Sequence, residues 1–195
     1  MRAQGKATLV LGGTVSAHGV LYVHSAPPAL CPHIEWAVAG IVGAPISMPW
    51  VGQPAAPGAL RAELAWQGRP GTGGAIASAL AGWNRLRFEV TEDSSPGCDG
   101  VRYCYTPELG TFTAVTAANG DILVPEGRLR SALTLAGGDT SLEDEIGRLL
   151  GAAWDNELEP FRRAADGAPV RCLNAMLAQG GRPPGTPAYP PRLSP

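Results

Sequence analysis

Three side chains able to ligate a metal or carry nucleophilic chemistry fall close together in this chain: His24, Cys31 and His33. They straddle the point where a short apolar run gives way, through Pro27 and Pro28, to a helical pattern. Imidazole and thiolate are the ligand types of zinc, and Cys98 or Cys104 would complete a tetrahedral set. Against this, the Cys-x-His spacing does not match the common structural zinc pattern, in which ligand pairs recur about two to four residues apart and come twice. A second chemistry is a thiol nucleophile. Cys31 falls near a helix N-terminus, where amides and the helix dipole lower a thiol pKa, and His24 or His33 would act as the base. The plainer account makes Cys31 a small buried hydrophobe and His33 a capping or surface residue. It is preferred because free cysteine is among the most buried residue types.

Residues 68–74, GRPGTGG, form the next candidate. A glycine-rich loop that follows a strand and opens a helix presents backbone amides to an anion. Gly71, Thr72 and Gly73, supplemented by Arg69, would cradle a phosphate or carboxylate. The Lys-Ser/Thr of a P-loop is missing and the dinucleotide fingerprint does not fit, so a tight strand-to-helix turn explains the glycines equally well. A third set, Arg61, Glu63, Arg85, Arg87 and Glu89, alternates with apolar residues and shares one sheet face. Such a face suits a ligand or a partner, but a solvated face with charges paired across strands is the simpler expectation. Glu143, Asp144 and Glu145 open a helix, as its dipole favours, and Asp155, Glu157 and Glu159 are expected on the solvent side of that same helix. No nucleophile elbow, metalloprotease helix or EF-hand loop occurs.

The elements that must position these residues follow from periodicity. Residues 20–24 read as a buried strand. Pro32 fits the first turn of a helix carrying Ile34, Val38, Ile41 and Val42, closed by Gly43. A strand at 46–51, interrupted by Pro49, is expected at an edge. Residues 60–66 and 85–91 alternate as half-buried strands on either side of a helix at 75–83. The order strand–helix–strand–strand–helix–strand predicts an α+β fold with a ferredoxin-like split βαβ core at 19–91. Strands at 101–106 and 111–116 form a hairpin extension, Asn119-Gly120 marks another turn, and 122–124 returns. Helices follow at 126–135 and from Ser141, whose pairing with Asp144 makes a capping box, to Pro160.

The predicted organisation is therefore one domain at 19–166, flanked by 1–17 and by a Pro/Gly-rich tail at 167–195. The first segment reads as a disordered leader or a mis-assigned start, the tail as disordered. Hydrophobic residues at 45% and charged residues at 16% belong to a globular chain. The net charge of −2 supplies no basic surplus for nucleic acid or anionic membranes. No run of about 18 apolar residues predicts a transmembrane helix. Four scattered cysteines predict reduced thiols in the cytoplasm, with a Cys98–Cys104 bridge only if the chain is exported.

The runs YVHSAPPALCPHIEWAVAGIVG, RAELAWQGRPGTG and RYCYTPELGTFTAVTAANGDILVPEGRLR resemble an uncharacterised actinobacterial family of the domain-of-unknown-function type, over about residues 19–135. The resemblance implies a cytoplasmic protein, sometimes encoded near fatty-acid synthesis genes, with no assigned activity and no functional residues to carry over. The resulting expectation is a non-catalytic binding or regulatory module that meets a protein partner or a second copy of itself. The alternatives are a small thiol-dependent enzyme using Cys31 with His24 or His33, and a zinc-binding module.

Overall fold

The computed structural model of the chain describes residues 16–136 and 141–164. Of the leader expected at 1–17, residues 1–15 lie outside those residues and Ala17 already opens the first strand; the tail expected at 167–195 lies outside them. In chain order the strands are β1 (Ala17–Ala26), β2 (Val51–Gly52), β3 (Leu60–Gly68), β4 (Arg87–Glu92), β5 (Gly100–Thr106), β6 (Gly110–Thr116) and β7 (Ile122–Leu123). The helices are α1 (Cys31–Val42), α2 (Thr72–Leu80), α3 (Glu126–Leu135), α4 (Leu142–Leu150) and α5 (Ala152–Ala164). The fold is α+β: one seven-stranded antiparallel sheet in the order β2-β3-β1-β4-β5-β6-β7, with five α-helices among the described residues.

Period-two alternation decides which side chains meet the helices. Leu21 and Val23 of β1 and Phe88 and Val90 of β4 bury against Ile34 and Val38 of α1 and Ile76 and Leu80 of α2. Each such side chain contributes about 1.5–3 kcal/mol relative to exposure. Gly19 marks where the sheet surface has no room. A Cβ there would sit 1.9 Å from the Thr91 carbonyl oxygen and 2.5 Å from the Trp66 ring.

Near its end β1 carries a bulge. Val23 pairs with Phe88, but the next partner, Arg87, belongs to Ser25. One extra residue on β1 lets His24 and Ser25 share the face opposite α1 and α2, which strict alternation forbids.

That second face is covered, and by α5. Leu158 of α5 is fully buried. Trp154 packs its ring on Phe112 of β6 at 5.2 Å and donates its indole N–H to the Gly110 carbonyl at 2.9 Å. The helix expected to run unbroken from Ser141 to Pro160 is two helices. Ser141 caps α4, accepting from the Asp144 amide at 3.1 Å. Gly151, at φ 76, then ends it in the left-handed conformation that glycine adopts without steric cost. The chain turns there and α5 runs on through Pro160. A proline inside a helix forfeits a backbone hydrogen bond, and the packing of α5 on the sheet offsets that loss.

Two other boundaries moved as well. The strand expected at 46–51 shrinks to β2, because the Glu35 carboxylate takes the Met48 amide at 2.7 Å and the Trp50 indole N–H at 2.9 Å. β4 begins at Arg87 and not at Arg85, since Arg85 adopts φ 69. No helix among the described residues is long and apolar enough to cross a membrane.

Gly19→Ala is expected to destabilise the protein by at least about 3 kcal/mol, the upper end for overpacking, because backbone must move to admit the methyl group. Chemical denaturation checks this, and a smaller loss would mean that β1 and β4 can part without disturbing the sheet.

Candidate functional site

The bulge in β1 and the alternation of β4 and β5 aim His24, Glu89, Arg102 and Cys104 at the underside of α5, which contributes Asp155 and Arg162. The last two stand seven residues apart and so lie on one helix face. Glu89, fully buried, is the centre. Its Oε2 lies 3.0 Å from His24 Nε2 and accepts from Arg162 Nε at 3.3 Å. Its Oε1 accepts from Arg102 Nη2 at 2.8 Å, from the Cys104 thiol at 3.4 Å and from Arg162 Nη2. Both guanidiniums also donate to Asp155 Oδ1, at 2.6 Å from Arg102 and 3.0 Å from Arg162. Two carboxylates and two guanidiniums thus balance in a space nearly closed to water. Beside them the buried Gln53 side chain donates to the carbonyls of His24 at 2.7 Å and Phe161 at 3.4 Å, tying the loop before β3 to both β1 and α5.

The electrostatics follow from burial set against partners. Burial alone would raise the Glu89 pKa. The hydrogen bond and charge of His24, with the charges of Arg102 and Arg162, outweigh it and hold the carboxyl well below the usual range. Arg102 and Arg162 move up despite their burial, Arg102 beside Cys104, Glu89 and Asp155, and Arg162 beside Glu89 and Asp155. Burial, reinforced by Glu89, pushes the Cys104 thiol well up. A carboxylate that accepts this many donors is a poor general base, and a thiol held protonated is a poor nucleophile.

The structure separates the residues whose spacing suggested metal or thiol chemistry. His24 turns to Glu89 on the α5 face, Cys31 joins the apolar core on the other face, and His33 is exposed on α1. Among the described residues no group of three or more His, Cys, Asp and Glu side chains is arranged to hold a metal ion. The Cys31 thiol lies 3.7 Å from the Pro27 carbonyl, and burial together with Glu35 pushes its pKa up, the opposite of activation. Cys98 is exposed and Cys104 buried, both as free thiols, so no Cys98–Cys104 bridge forms.

The glycine-rich loop does present its amides to an anion, and that anion is the protein's own. Glu92 Oε1 accepts from the Gly71 amide at 2.7 Å and Oε2 from the Gly73 amide at 2.8 Å. This cap lets α2 start at Thr72, three residues before the apolar pattern suggests. Gly73 is small because a Cβ would meet Glu92 Oε2 at 3.0 Å. Of the polar sheet face, Glu63 is exposed and Arg61 half-buried, Arg87 donates to Glu157 at 3.0 Å, and Glu89 is buried in the cluster. Asp155, expected toward solvent, is buried with it.

Sequence reasoning missed Arg102, Asp155, Arg162, Gln53 and Glu92. A signal for Arg102 existed: a lone arginine in the otherwise apolar and aromatic run VRYCY marks a charge that must find a partner inside.

Fold and site together define an α+β protein whose last described helix, α5, is clamped to its sheet by a closed ion-pair cluster. The chain belongs to the family described as protein of unknown function (DUF3145), whose family model matches residues 20–175. No curated protein and no solved structure matches it.

Replacing Glu89 by Gln leaves two buried guanidiniums facing one carboxylate. The expected loss is about 3–5 kcal/mol, typical for breaking a buried pair from one side. Because folding depresses the Glu89 pKa, its stabilisation is complete above the unfolded value of about 4.3 and disappears as pH falls through the folded value. Melting temperatures between pH 7 and 3 should therefore fall more steeply for the native protein than for Glu89→Gln. Parallel curves would place the acid sensitivity elsewhere.

Proposed function

We propose that this chain is a non-catalytic binding module of the cytoplasm. The observation that carries the proposal is the commitment of its reactive groups. Glu89, His24, Cys104, Asp155 and both buried arginines are bonded to one another under α5, and Cys31 is a core thiol of raised pKa. A catalytic centre needs an accessible group with a pKa matched to its task. The free state of Cys31, Cys98 and Cys104 supports a reducing compartment. Trp36 of α1, 80% exposed, supports a protein partner, a second copy of the chain included, because large aromatic side chains are enriched where proteins meet.

We read the scaffold itself as ferredoxin-like. The support is the antiparallel order β2-β3-β1-β4 with α1 and α2 packed on one side of it.

Peptide-mapped alkylation at pH 7 tests the non-catalytic assignment. Iodoacetamide is expected to label Cys98 readily and Cys31 and Cys104 at least about tenfold more slowly. Faster labelling of Cys31 than Cys98 would overturn the assignment in favour of a thiol enzyme. Native mass spectrometry adds a second arm. One zinc per chain, lost on Cys31→Ala or His33→Ala, would overturn it in favour of a metal module.

A further inference from the structure

Beyond the closed cluster, the same sheet face opens into a cavity of about 370 Å³ at the end of β1, large enough for a small molecule. Its polar lining is Ser25, Arg85 and Arg87, and its apolar wall includes Pro27, Pro28 and Pro57. We propose that this cavity binds a small carboxylate with a compact apolar body. The proposal extends the binding-module assignment, giving that module a ligand class.

Four observations converge on it. First, the β1 bulge sets Ser25 on the same face as Arg87, its pairing partner. Ser25 is only 4% exposed, and its hydroxyl makes no hydrogen bond to any described residue. A serine hydroxyl that lines a cavity and donates to no described residue is open to an acceptor there. Second, Arg87 is already oriented. Its Nε donates to Glu157 at 3.0 Å and its guanidinium lies 5.0 Å from the Phe161 ring centre. Both terminal nitrogens have no acceptor among the described residues, which leaves part of the guanidinium fork available to a ligand carboxylate.

Third, Arg85 makes no ion pair among the described residues and is exposed at the cavity. It occupies the third position of the turn at 83–86, closed by the Leu86 amide on the Trp83 carbonyl at 3.2 Å, with φ 69. Glycine fills a left-handed turn position without strain and arginine does not. Backbone strain of this kind is found at ligand clamps. Fourth, the Gly58 amide, also at the cavity, has no acceptor among the described residues.

Charge selects within the anions. Glu157 neutralises Arg87, so the cavity carries one net positive charge, from Arg85. That matches a monoanionic carboxylate better than a phosphate dianion, and the proline wall suits an apolar body better than water.

The test is a titration of the isotopically labelled full chain with sodium benzoate, and separately with inorganic phosphate, followed by amide NMR. Benzoate is expected to move the Ser25, Gly58 and Arg87 amides saturably, with Kd on the order of 1 mM for so small a ligand. Phosphate at equal ionic strength should move them at least about tenfold more weakly, since it lacks the apolar body. Arg85→Gly removes the cation and the strained backbone together. It is expected to melt at or above the native temperature while weakening benzoate at least about tenfold.

Absence of saturable shifts at these amides would overturn the proposal, as would undiminished benzoate binding by folded Arg85→Gly. Phosphate binding tighter than benzoate would overturn the ligand class. The titration reads the cavity alone, so it fails or succeeds independently of how Cys31 alkylates.

Discussion

A single buried carboxylate, Glu89, sets the terms for the rest of this structure. Moving a carboxylate out of water costs several kcal/mol unless charge and hydrogen bonds replace the lost solvent. Here the replacements come from β1, β5 and α5, three elements far apart in sequence. None of them can shift without leaving Glu89 short of a donor. The bonds are directional, so they fix not only that α5 covers the sheet but which face of α5 does so. Apolar packing of Leu158 supplies attraction but little rotational preference. The ion pairs supply the preference.

The cluster also explains why the groups that look most reactive in the sequence are not the most available. Imidazole, thiol and carboxylate at the heart of a protein suggest catalysis when met as letters. Geometry gives each of them a structural partner: His24 on Glu89, Cys104 on the same carboxylate, Asp155 between two guanidiniums. The glycine-rich loop repeats the theme at the other helix face, where Glu92 fills the amide cradle that an external anion would need. What remains open is the end of β1 on the same sheet face, where the β1 bulge, a strained turn at Arg85 and the Arg87 side chain frame a cavity. α5 thus serves both places. Arg162 closes the cluster, while its neighbour Phe161 and, a turn before that, Glu157 hold Arg87 at the cavity.

Much of the scaffold was legible in the sequence because local patterning and core packing agree. Leu86, Phe88 and Val90 alternate and are buried; Ile34, Val38, Ile76 and Leu80 recur at helical spacing and meet them. Turn chemistry was equally plain at Asn119-Gly120 and at Ser141 with Asp144. Apart from the local turns at Gly151 and Arg85, the expectations that needed revision share a cause. Helix starts, strand ends and the reading of Glu89 and Asp155 as solvated all depended on partners distant in the chain. Glu92 moved the start of α2, Glu35 cut the strand expected at 46–51 back to β2, and α5 roofed a face that alternation alone marks as polar.

By itself, the sequence determined the elements and the apolar side of the sheet, since both follow from side-chain period and from the turn preferences of Gly, Pro, Asn and Ser. It also determined which residue types were available for chemistry. Tertiary structure decided what those residues do. Whether a glutamate in an alternating strand faces water or two arginines turns on which helix packs over it, and nothing within reach of local periodicity encodes that. A carboxylate carries the same letter in either place; only the donors brought to it from 13, 65 and 73 residues away distinguish a solvated charge from the keystone of a fold.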